Sequence, residues 1–435
     1  MYSSSNDATR GGTLFAISDG MTYGWTAPYI PYLISKESHI KTTLHEAEWL
    51  ETALMSGSLV GLPITMFLVT SIGRKRSILL ASFVILLSWI TIALGNRMEY
   101  LFPPMYMAEI AEHKIRGLLS SIIYIMVHIG CLTVYCVGPY LPFYVTPIIG
   151  GTVVVLELLI FSTVPESPYY LLLKDKPKEA RKSLEYFRSD SNVDKELKDI
   201  ADAIENQKAD KARFQDLFMV KSNRKGILIM AVLNSGQHLC AYTVILMNLH
   251  LILEAAGSIY IESSIAAIIY AAIMLFAATF ASFQIDRFGR KALLIFSTVS
   301  TGICLLILAV YFNLKELNFN VSPVSWIPIV SVMVYAAVFK TGIGIVPIVV
   351  TAEIFPAKLK AFGMTIADGM FIGGGIVAIQ LYHFLSKLAG IYVPFYIFGF
   401  WSFFVALFTI FYMPETKGKS LEEIQQMLRG KKVLV

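Results

Sequence analysis

The feature that most constrains this chain is a series of long apolar runs separated by short polar turns. A helix needs about 20 apolar residues to cross the hydrocarbon core of a bilayer, and a spanning segment must be a helix or part of a closed barrel. We predict spans at about 12–34, 49–70, 77–95, 117–139, 143–163, 226–253, 262–284, 291–312, 325–351, 360–385 and 391–412. The sequence therefore predicts an all-α polytopic membrane protein.

Charge supports this reading and indicates the orientation. Only 15% of the residues are charged, against about 25% in soluble proteins. The net charge of +5 is spread over short loops, so the lipid bilayer is an expected partner and nucleic acid is not. Lysine and arginine cluster at 74–76, 114–116, 174–225, 287–291, 358–360 and 417–432. The positive-inside rule then places both termini in the cytoplasm.

Two basic turns resemble each other. Residues 286–291, with the sequence DRFGRK, and residues 72–76, with the sequence IGRKR, each join two apolar runs. So many charges in so few residues are too costly to leave in hydrocarbon, so both turns belong at a membrane surface. Similar turns at corresponding places indicate an internally duplicated transporter.

Several motifs in order along the chain resemble a known family. The turn at 286–291 resembles the loop motif of the major facilitator superfamily, in its sugar porter family. The segments PESP at 165–168 and PETKG at 414–418 resemble the signatures after its sixth and twelfth helices. Glu109 with Arg116, and Glu353 within EIFP, resemble its motifs after the fourth and tenth helices. The resemblance is nearest to the insect facilitated trehalose and hexose transporters.

The resemblance implies two six-helix halves joined by a cytoplasmic insert. We expect an N-terminal half at 1–164, an insert of two to four short amphipathic helices at 165–225, a C-terminal half at 226–413 and a cytoplasmic tail at 414–435. The fourth helix is truncated: residues 97–113 contain Arg97, Glu99, Pro103 and Pro104 and form a poor span. This segment either crosses as a short, strained helix or leaves the first half incompletely inserted.

The resemblance also implies a set of gating and motif residues on the cytoplasmic side. Their charges are expected to form salt bridges between helix ends that break as the transporter rocks. The set comprises Arg74, Glu109, Arg116, Glu166, Asp286, Arg287, Gly289, Arg290, Glu353, Lys360 and Glu415.

Candidate solute-binding residues come from polar positions inside the spans. A polar group in hydrocarbon is unfavourable unless it is paired or faces a cavity, so each one is a candidate for the pathway. The predicted span at 226–253 resembles the family's sugar-binding seventh helix, with His238, Ala241 and Thr243 in place of the usual Gln, Gly and Asn. Asn234 in the same span is polar as well. The neighbouring residues are mostly Leu, Ile and Val, so we expect water or solute to hydrogen-bond some of these polar side chains. The expected binding residues are Gln237, His238, Thr243, Asn248, Tyr124 and Pro347.

Four charged groups, Asp19, Glu157, Lys340 and Asp368, are unexpected in the spans. Lys340 and Asp368 lie on consecutive helices and are candidates for an ion pair. We find no catalytic triad, metal-ligand spacing or phosphate-binding loop, so we expect no enzyme activity, no cofactor and no metal site. The favoured function is facilitative passage of a small sugar, a hexose or trehalose, by a monomer in the cell membrane. The alternatives are a non-transporting relative and proton-coupled uptake of another polar solute, for which Asp19 is the candidate carrier.

Overall fold

The computed structural model describes residues 4–38, 40, 42–94, 118–187, 193–209, 215–356, 359–419 and 421–429. Regular structure there is helical, as the apolar runs predict. The helices are α1 (Ser4–Ile34), α2 (Leu44–Ser71), α3 (Arg74–Leu94), α4 (Leu118–Val137), α5 (Val145–Thr163), α6 (Pro168–Leu173), α7 (Pro177–Phe187), α8 (Val193–Ala209), α9 (Asp216–Met219), α10 (Lys221–Leu239), α11 (Tyr242–Ala256), α12 (Ser263–Phe288), α13 (Arg290–Glu316), α14 (Ile327–Thr341), α15 (Val346–Ile354), α16 (Lys360–Ala389), α17 (Tyr392–Tyr412) and α18 (Leu421–Leu428).

Nine helical segments in the described part of the chain are long and apolar enough to cross a membrane. Two of the nine are interrupted: α10 and α11 together form Lys221–Ala256, and α14 and α15 lie within Ser322–Ile354. The predicted fourth-helix segment, 97–113, lies outside the described residues. The insert, predicted to hold two to four short helices, contains α6, α7, α8 and α9.

The chain divides into two compact units. Unit 1 comprises Met1–Thr22, Gly57–Gly130 and Leu141–Ala212, and unit 2 comprises Tyr23–Ser56, Cys131–Tyr140 and Arg213–Val435. The expected halves at 1–164 and 226–413 stay a prediction.

In unit 1, α3 packs against α5, and hydrogen bonds join polar side chains of these helices to their partners. The Trp89 indole donates to Ser18 Oγ at 3.0 Å, and Ser82 Oγ donates to the buried Glu157 carboxylate at 2.6 Å. The insert joins the same unit through Ser183, whose hydroxyl donates to the Glu166 carbonyl at 2.5 Å. Each bond satisfies a polar group that burial would otherwise destabilise.

Unit 2 packs α13 against α14 and α17, α10 against α16, and α12 against α14. Small residues allow the α10–α16 approach, because a Cβ at Gly374 would lie 2.6 Å from Ser235 Cα. Close contact through small residues is typical of membrane helices, where dispersion forces replace the hydrophobic effect between helices.

Two spans that we predicted as continuous, 226–253 and 325–351, are each broken, and this corrects the sequence reading. The first breaks at Ala241, whose φ of +69° and ψ of 15° are left-handed. The second breaks after Thr341, where Gly342 has φ −139° and ψ −82°, and resumes at Val346 with Pro347 in its first turn. Proline favours a helix start because its missing N–H has no partner there anyway. Periodicity alone showed neither break because both flanks are apolar.

Candidate functional site

The predicted binding residues of α10 lie in its last turn, directly before the break at Ala241. Gln237 and His238 are 3% and 0% exposed. The Gln237 Nε2 and His238 Nε2 atoms are buried without a hydrogen-bond partner among the described residues. Native proteins rarely leave buried polar atoms unpaired, so these two need an account. An amide and an imidazole can each bond a hydroxyl-rich solute.

Contacts within unit 2 hold the His238 ring in place. Its Nδ1 atom hydrogen-bonds the Thr243 hydroxyl across the break. The Phe371 ring lies edge-on with centroids 4.1 Å apart, and the Tyr242 centroid is 6.0 Å away. Thr243 therefore orients the imidazole, and Nε2 is the ring nitrogen that has no partner among the described residues.

Asn234 and Asn248, which we expected to need water or solute, have protein partners, and this corrects part of our expectation. Asn234 Nδ2 donates to the Met230 carbonyl at 3.2 Å and to Thr351 Oγ1 at 3.4 Å. Asn248 Nδ2 donates to Glu51 Oε2 at 3.0 Å, at a kink where Asn248 has non-helical φ and ψ of −110° and 16°. The interior was more polar than its Leu, Ile and Val content suggested. Of the predicted binding residues whose side chains the structure describes, Gln237 and His238 keep a buried atom without a hydrogen-bond partner.

The partner of Asn248 belongs to a cluster that the sequence reading missed. We call it the α2–α16 cluster: Glu48, Glu51, Asn248, His383 and Lys387. His383 Nε2 lies 3.1 Å from Glu51 Oε2, and its Nδ1 lies 3.6 Å from Glu48 Oε1. Lys387 Nζ donates to Glu48 Oε2 at 2.5 Å.

Two acidic side chains, Glu48 and Glu51, thus face two basic ones, His383 and Lys387. The sequence did contain a signal for this cluster. Two acidic residues lie three positions apart near the start of one apolar helix, and two basic residues lie four positions apart near the end of another.

The other predicted pathway residues are scattered. Pro347 is buried in the first turn of α15, and its carbonyl accepts from Thr351 Oγ1 at 2.7 Å. Tyr124 lies on α4, but its side chain is outside the described set. Asp19 lies on α1 in unit 1, where its Oδ1 is buried and has no hydrogen-bond partner in the described part of the chain.

Lys340 lies in the last turn of α14, among aromatic rings. Its ammonium lies 4.6 Å from the centroid of Tyr242 and 5.8 Å from that of Phe339. Asp368 lies half-buried on α16. The described contacts of Lys340 are with rings, and its pairing with Asp368 stays a prediction.

Two helix clasps of the same design occur, one in each unit. The α3–α5 clasp consists of Gly73, Lys75, Ser162 and Glu166. Glu166 Oε1 accepts the Lys75 N–H at 3.0 Å, and Lys75 Nζ donates to the Ser162 carbonyl at 2.6 Å. The carboxylate thus caps the start of α3, and the ammonium caps the end of α5.

The α13–α17 clasp consists of Gly289, Lys291, Ile410 and Glu415. Glu415 Oε2 accepts the Lys291 N–H at 3.0 Å, and Lys291 Nζ donates to the Ile410 carbonyl at 2.7 Å. Gly73 and Gly289 have φ of +101° and +87°, and a Cβ at either would crowd the capping carboxylate. Both glycines are therefore needed for backbone geometry and for space.

The α13–α17 clasp continues into an ion pair. Arg290 is buried, and its guanidinium donates to Glu353 Oε1 at 3.0 Å, while Thr416 Oγ1 donates to Glu353 Oε2 at 2.6 Å. Burial alone would raise the pKa of Glu415, but four backbone N–H groups outweigh it and leave that pKa below its ordinary value of 4.5. The carboxylate is thereby held ionised as a helix cap.

The remaining gating candidates have weaker or undescribed contacts. The Arg74 guanidinium lies over the Tyr169 and Tyr170 rings, 5.1 Å and 5.6 Å from their centroids. The Lys360 ammonium donates to the Ala352 carbonyl. Glu109 and Arg116 lie outside the described residues, as do the side chains of Asp286 and Arg287 on α12.

Comparisons with known proteins show the family to which this chain belongs. The family profile "Sugar (and other) transporter" matches residues 8–428. The facilitated trehalose transporter Tret1 of Polypedilum vanderplanki is 28% identical, over 96% of this chain and 87% of the relative. Tret1 of Bombyx mori is 27% identical, over 95% and 86%. Tret1 of Aedes aegypti is 28% identical over 94% of this chain, which spans only 54% of that relative.

Solved structures agree on the fold. The proton:xylose symporter XylE bound to 6-bromo-6-deoxy-D-glucose matches with a TM-score of 0.72 and 19% identity, over 98% of both chains. The inward-open xylose transporter XylE from E. coli matches with a TM-score of 0.72 and 20% identity, over 98% of this chain and 99% of that one. The chain is therefore a multi-pass membrane protein of the sugar (and other) transporter family, with the all-α fold of the major facilitator superfamily.

Proposed function

We propose that this transporter carries a small neutral sugar, a hexose or trehalose, down its gradient by alternating access. The observation that carries the proposal is the pair of unpaired polar atoms at the end of α10. Gln237 Nε2 and His238 Nε2 are buried at a helix break, within a segment long and apolar enough to span a membrane, and no described residue pairs with either atom. Broken helices at mid-membrane depth are where transporters place their binding groups.

The neighbours of these atoms suit a sugar. Hydroxyl groups donate and accept, so they can satisfy an amide and an imidazole together. Phe371 and Tyr242 flank His238, and aromatic rings beside a polar site suit the apolar side of a pyranose. The names of the trehalose-transporting relatives support the same substrate class for this chain.

The gating part of the proposal rests on the two clasps and on the Arg290–Glu353 ion pair. These contacts join helix ends on charged loops, as expected for an element that closes one side of the pathway. Breaking them would let that side open in the other half of the cycle. The positive charges of these loops support a cytoplasmic location for them and for both termini.

Uptake by a host that lacks sugar transporters tests the function. Cells expressing the tagged protein at the plasma membrane are given radiolabelled glucose or trehalose. Saturable uptake that is blocked by excess unlabelled sugar is expected, and it should not change with the proton gradient. A protein that reaches the surface and moves neither sugar would instead be a non-transporting relative. Proton-dependent uptake would overturn the facilitative mechanism.

Protease protection tests the topology and the membrane. Tags at both ends should resist protease added to intact cells and become sensitive after permeabilisation. Digestion of only the C-terminal tag in intact cells would show that residues 97–113 do not cross.

A further inference from the structure

Lys340 is a buried cation for which the proposed function leaves no role. It lies in the last turn of α14, directly before the break at 342–345, and is 3% exposed. The break places Lys340 at a helix end, as the break at Ala241 does for Gln237 and His238. Both interrupted spans therefore bring polar side chains to their breaks.

The surroundings of Lys340 differ from those of the other buried charges in unit 2. Glu51 faces His383 at 3.1 Å, and Arg290 faces Glu353 at 3.0 Å. Among the described residues, the contacts of the Lys340 ammonium are with the rings of Tyr242 and Phe339. A buried charge without a counter-ion is strongly unfavourable, and ring faces offset only part of that penalty.

The rings around Lys340 are themselves fixed. Tyr242 and Phe339 stack with centroids 5.1 Å apart and planes 3° from parallel, and Tyr335 stacks on Phe339 at 5.4 Å. The Tyr335 hydroxyl donates to the Cys240 carbonyl at 2.9 Å, at the α10 break. This stack connects the two breaks and presents the ammonium on the Tyr242 face.

Tyr242 also connects Lys340 to the proposed sugar site. Its ring centroid is 4.6 Å from the ammonium and 6.0 Å from the His238 ring. The Lys340 ammonium and the Gln237 amide nitrogen are both hydrogen-bond donors. They lie on α14 and α10, two helices that both contact Tyr242. A neutral polyol can satisfy the amide but leaves the ammonium without a countercharge.

We propose that the solutes of this transporter include acidic sugars, with the carboxylate of a hexuronate bound by Lys340 and its hydroxyls bound by Gln237 and His238. This inference rests on the proposed function and adds a substrate class to it. The carboxylate supplies the single negative charge that balances one ammonium.

A sugar phosphate fits less well than a sugar carboxylate. A phosphate group carries about −1.5 to −2 charges at neutral pH, and one ammonium leaves the excess uncompensated in a buried site. A carboxylate adds one charge and matches Lys340 one to one. Hexuronates are therefore the probes of choice.

The ligand-side test uses the unmodified protein in proteoliposomes. Uptake of radiolabelled glucuronate at pH 7 is compared with that of glucose, with the neutral methyl ester of glucuronate as a competitor of matched size. We expect saturable glucuronate uptake, an inward negative current on a solid-supported membrane, and competition by the ester at least about tenfold weaker than by glucuronate. Glucose uptake without glucuronate uptake or competition would overturn the inference and leave the proposed function standing. If neither solute enters, both fail.

The protein-side test uses Lys340→Met, Lys340→Arg and, as a control, Lys198→Met on the exposed face of α8. Lys340→Met should raise the half-saturation concentration for glucuronate by at least about tenfold more than it raises that for glucose. Lys340→Arg should retain glucuronate uptake, and the control should match wild type. Equal glucuronate uptake by Lys340→Met and wild type, at equal reconstituted amounts, would overturn the inference. If Lys340→Met fails to fold, the ester comparison on wild type still decides.

Discussion

The His383 imidazole lies 3.1 Å from the Glu51 carboxylate, and this contact joins the first turns of α2 to the last turns of α16. Glu51 is fully buried, and its Oε2 also accepts from Asn248. One carboxylate oxygen therefore links three helices. Neither residue belongs to a motif of the family that the sequence resembles.

Removing Glu51 is expected to destabilise the protein strongly. Glu51→Ala leaves His383 facing only Glu48 and leaves the Asn248 amide unpaired, which costs about 3–5 kcal/mol for a broken buried pair. The unfolding temperature in detergent should fall clearly, and Glu37→Ala on an exposed turn should change it little. Because the residues touch, Glu51→Gln and His383→Gln should combine non-additively. Additive effects would show that the two side chains do not interact.

The left-handed conformation of Ala241 predicts an unusual order of tolerance. Ala241→Gly relieves about 1 kcal/mol of backbone strain and loses roughly as much from its buried methyl group, so stability should hardly change. Ala241→Val should be destabilised by more than about 2 kcal/mol because a β-branched residue resists positive φ. Ala201→Gly in exposed α8 is the control and should lose about 0.5–1 kcal/mol. Thermal unfolding measures all three; equal loss for Gly and Val at 241 would contradict the φ of +69°.

The lowered pKa of Glu415 predicts acid sensitivity of the α13–α17 clasp. A carboxyl whose folded pKa lies below the unfolded value adds stability above the unfolded pKa. That stability is lost as pH falls from about 4.5 through the lowered folded pKa. Glu415→Gln should therefore be less stable than wild type at pH 7, and the difference should shrink on acidification. Unfolding curves between pH 7 and pH 3 test this, with Glu205→Gln on α8 as the control. A difference that stays constant with pH would contradict the assignment.

Arg290 is expected to control transport rate through Glu353. Arg290→Ala removes the 3.0 Å ion pair and shifts the conformational equilibrium away from the state that the pair stabilises. Uptake should fall by about tenfold for a shift of roughly 1.4 kcal/mol, with surface expression retained. Arg224→Ala, an exposed arginine on α10, is the matched control. An unchanged rate at normal expression would remove Arg290 from the gate.

Gln237 is expected to affect solute affinity. Gln237→Ala removes one net hydrogen bond of about 1–1.5 kcal/mol, so the half-saturation concentration should rise roughly tenfold. His238→Gln, which restores the family's residue, should improve glucose relative to the native solute. Gln426→Ala on exposed α18 controls for the substitution itself.

Cysteine labelling adds an independent test of this site. Cysteines at 237 and 238 should react with a small water-soluble thiol reagent, and solute should protect them. Inert cysteines there, beside reactive controls in the loop at 316–322, would show that α10 does not line the pathway.

The sequence by itself determined the fold class and the family. Apolar runs of membrane length can only become helices, and motifs in fixed order identify the sugar porter branch. It also predicted site residues, Gln237 and His238 from polar positions within a span and Arg290 and Glu415 from motifs that resemble the family's, and their roles stay predictions. Helix breaks were beyond it, since a left-handed Ala241 and an interrupted 342–345 have no signature in hydrophobic periodicity.

Only the tertiary structure decided which polar groups are paired. Glu51 and His383 are 332 positions apart in the sequence, and no local sequence pattern predicts their contact. The same holds for Asn248, which the sequence assigned to the solute and the structure bonds to Glu51. Hydrogen bonding and ion pairing depend on separations of about 3 Å, which only the packing of distant helices can set. The hydrophobic pattern lies along the chain and can be read from the sequence. Which polar groups pair with each other depends on the tertiary structure.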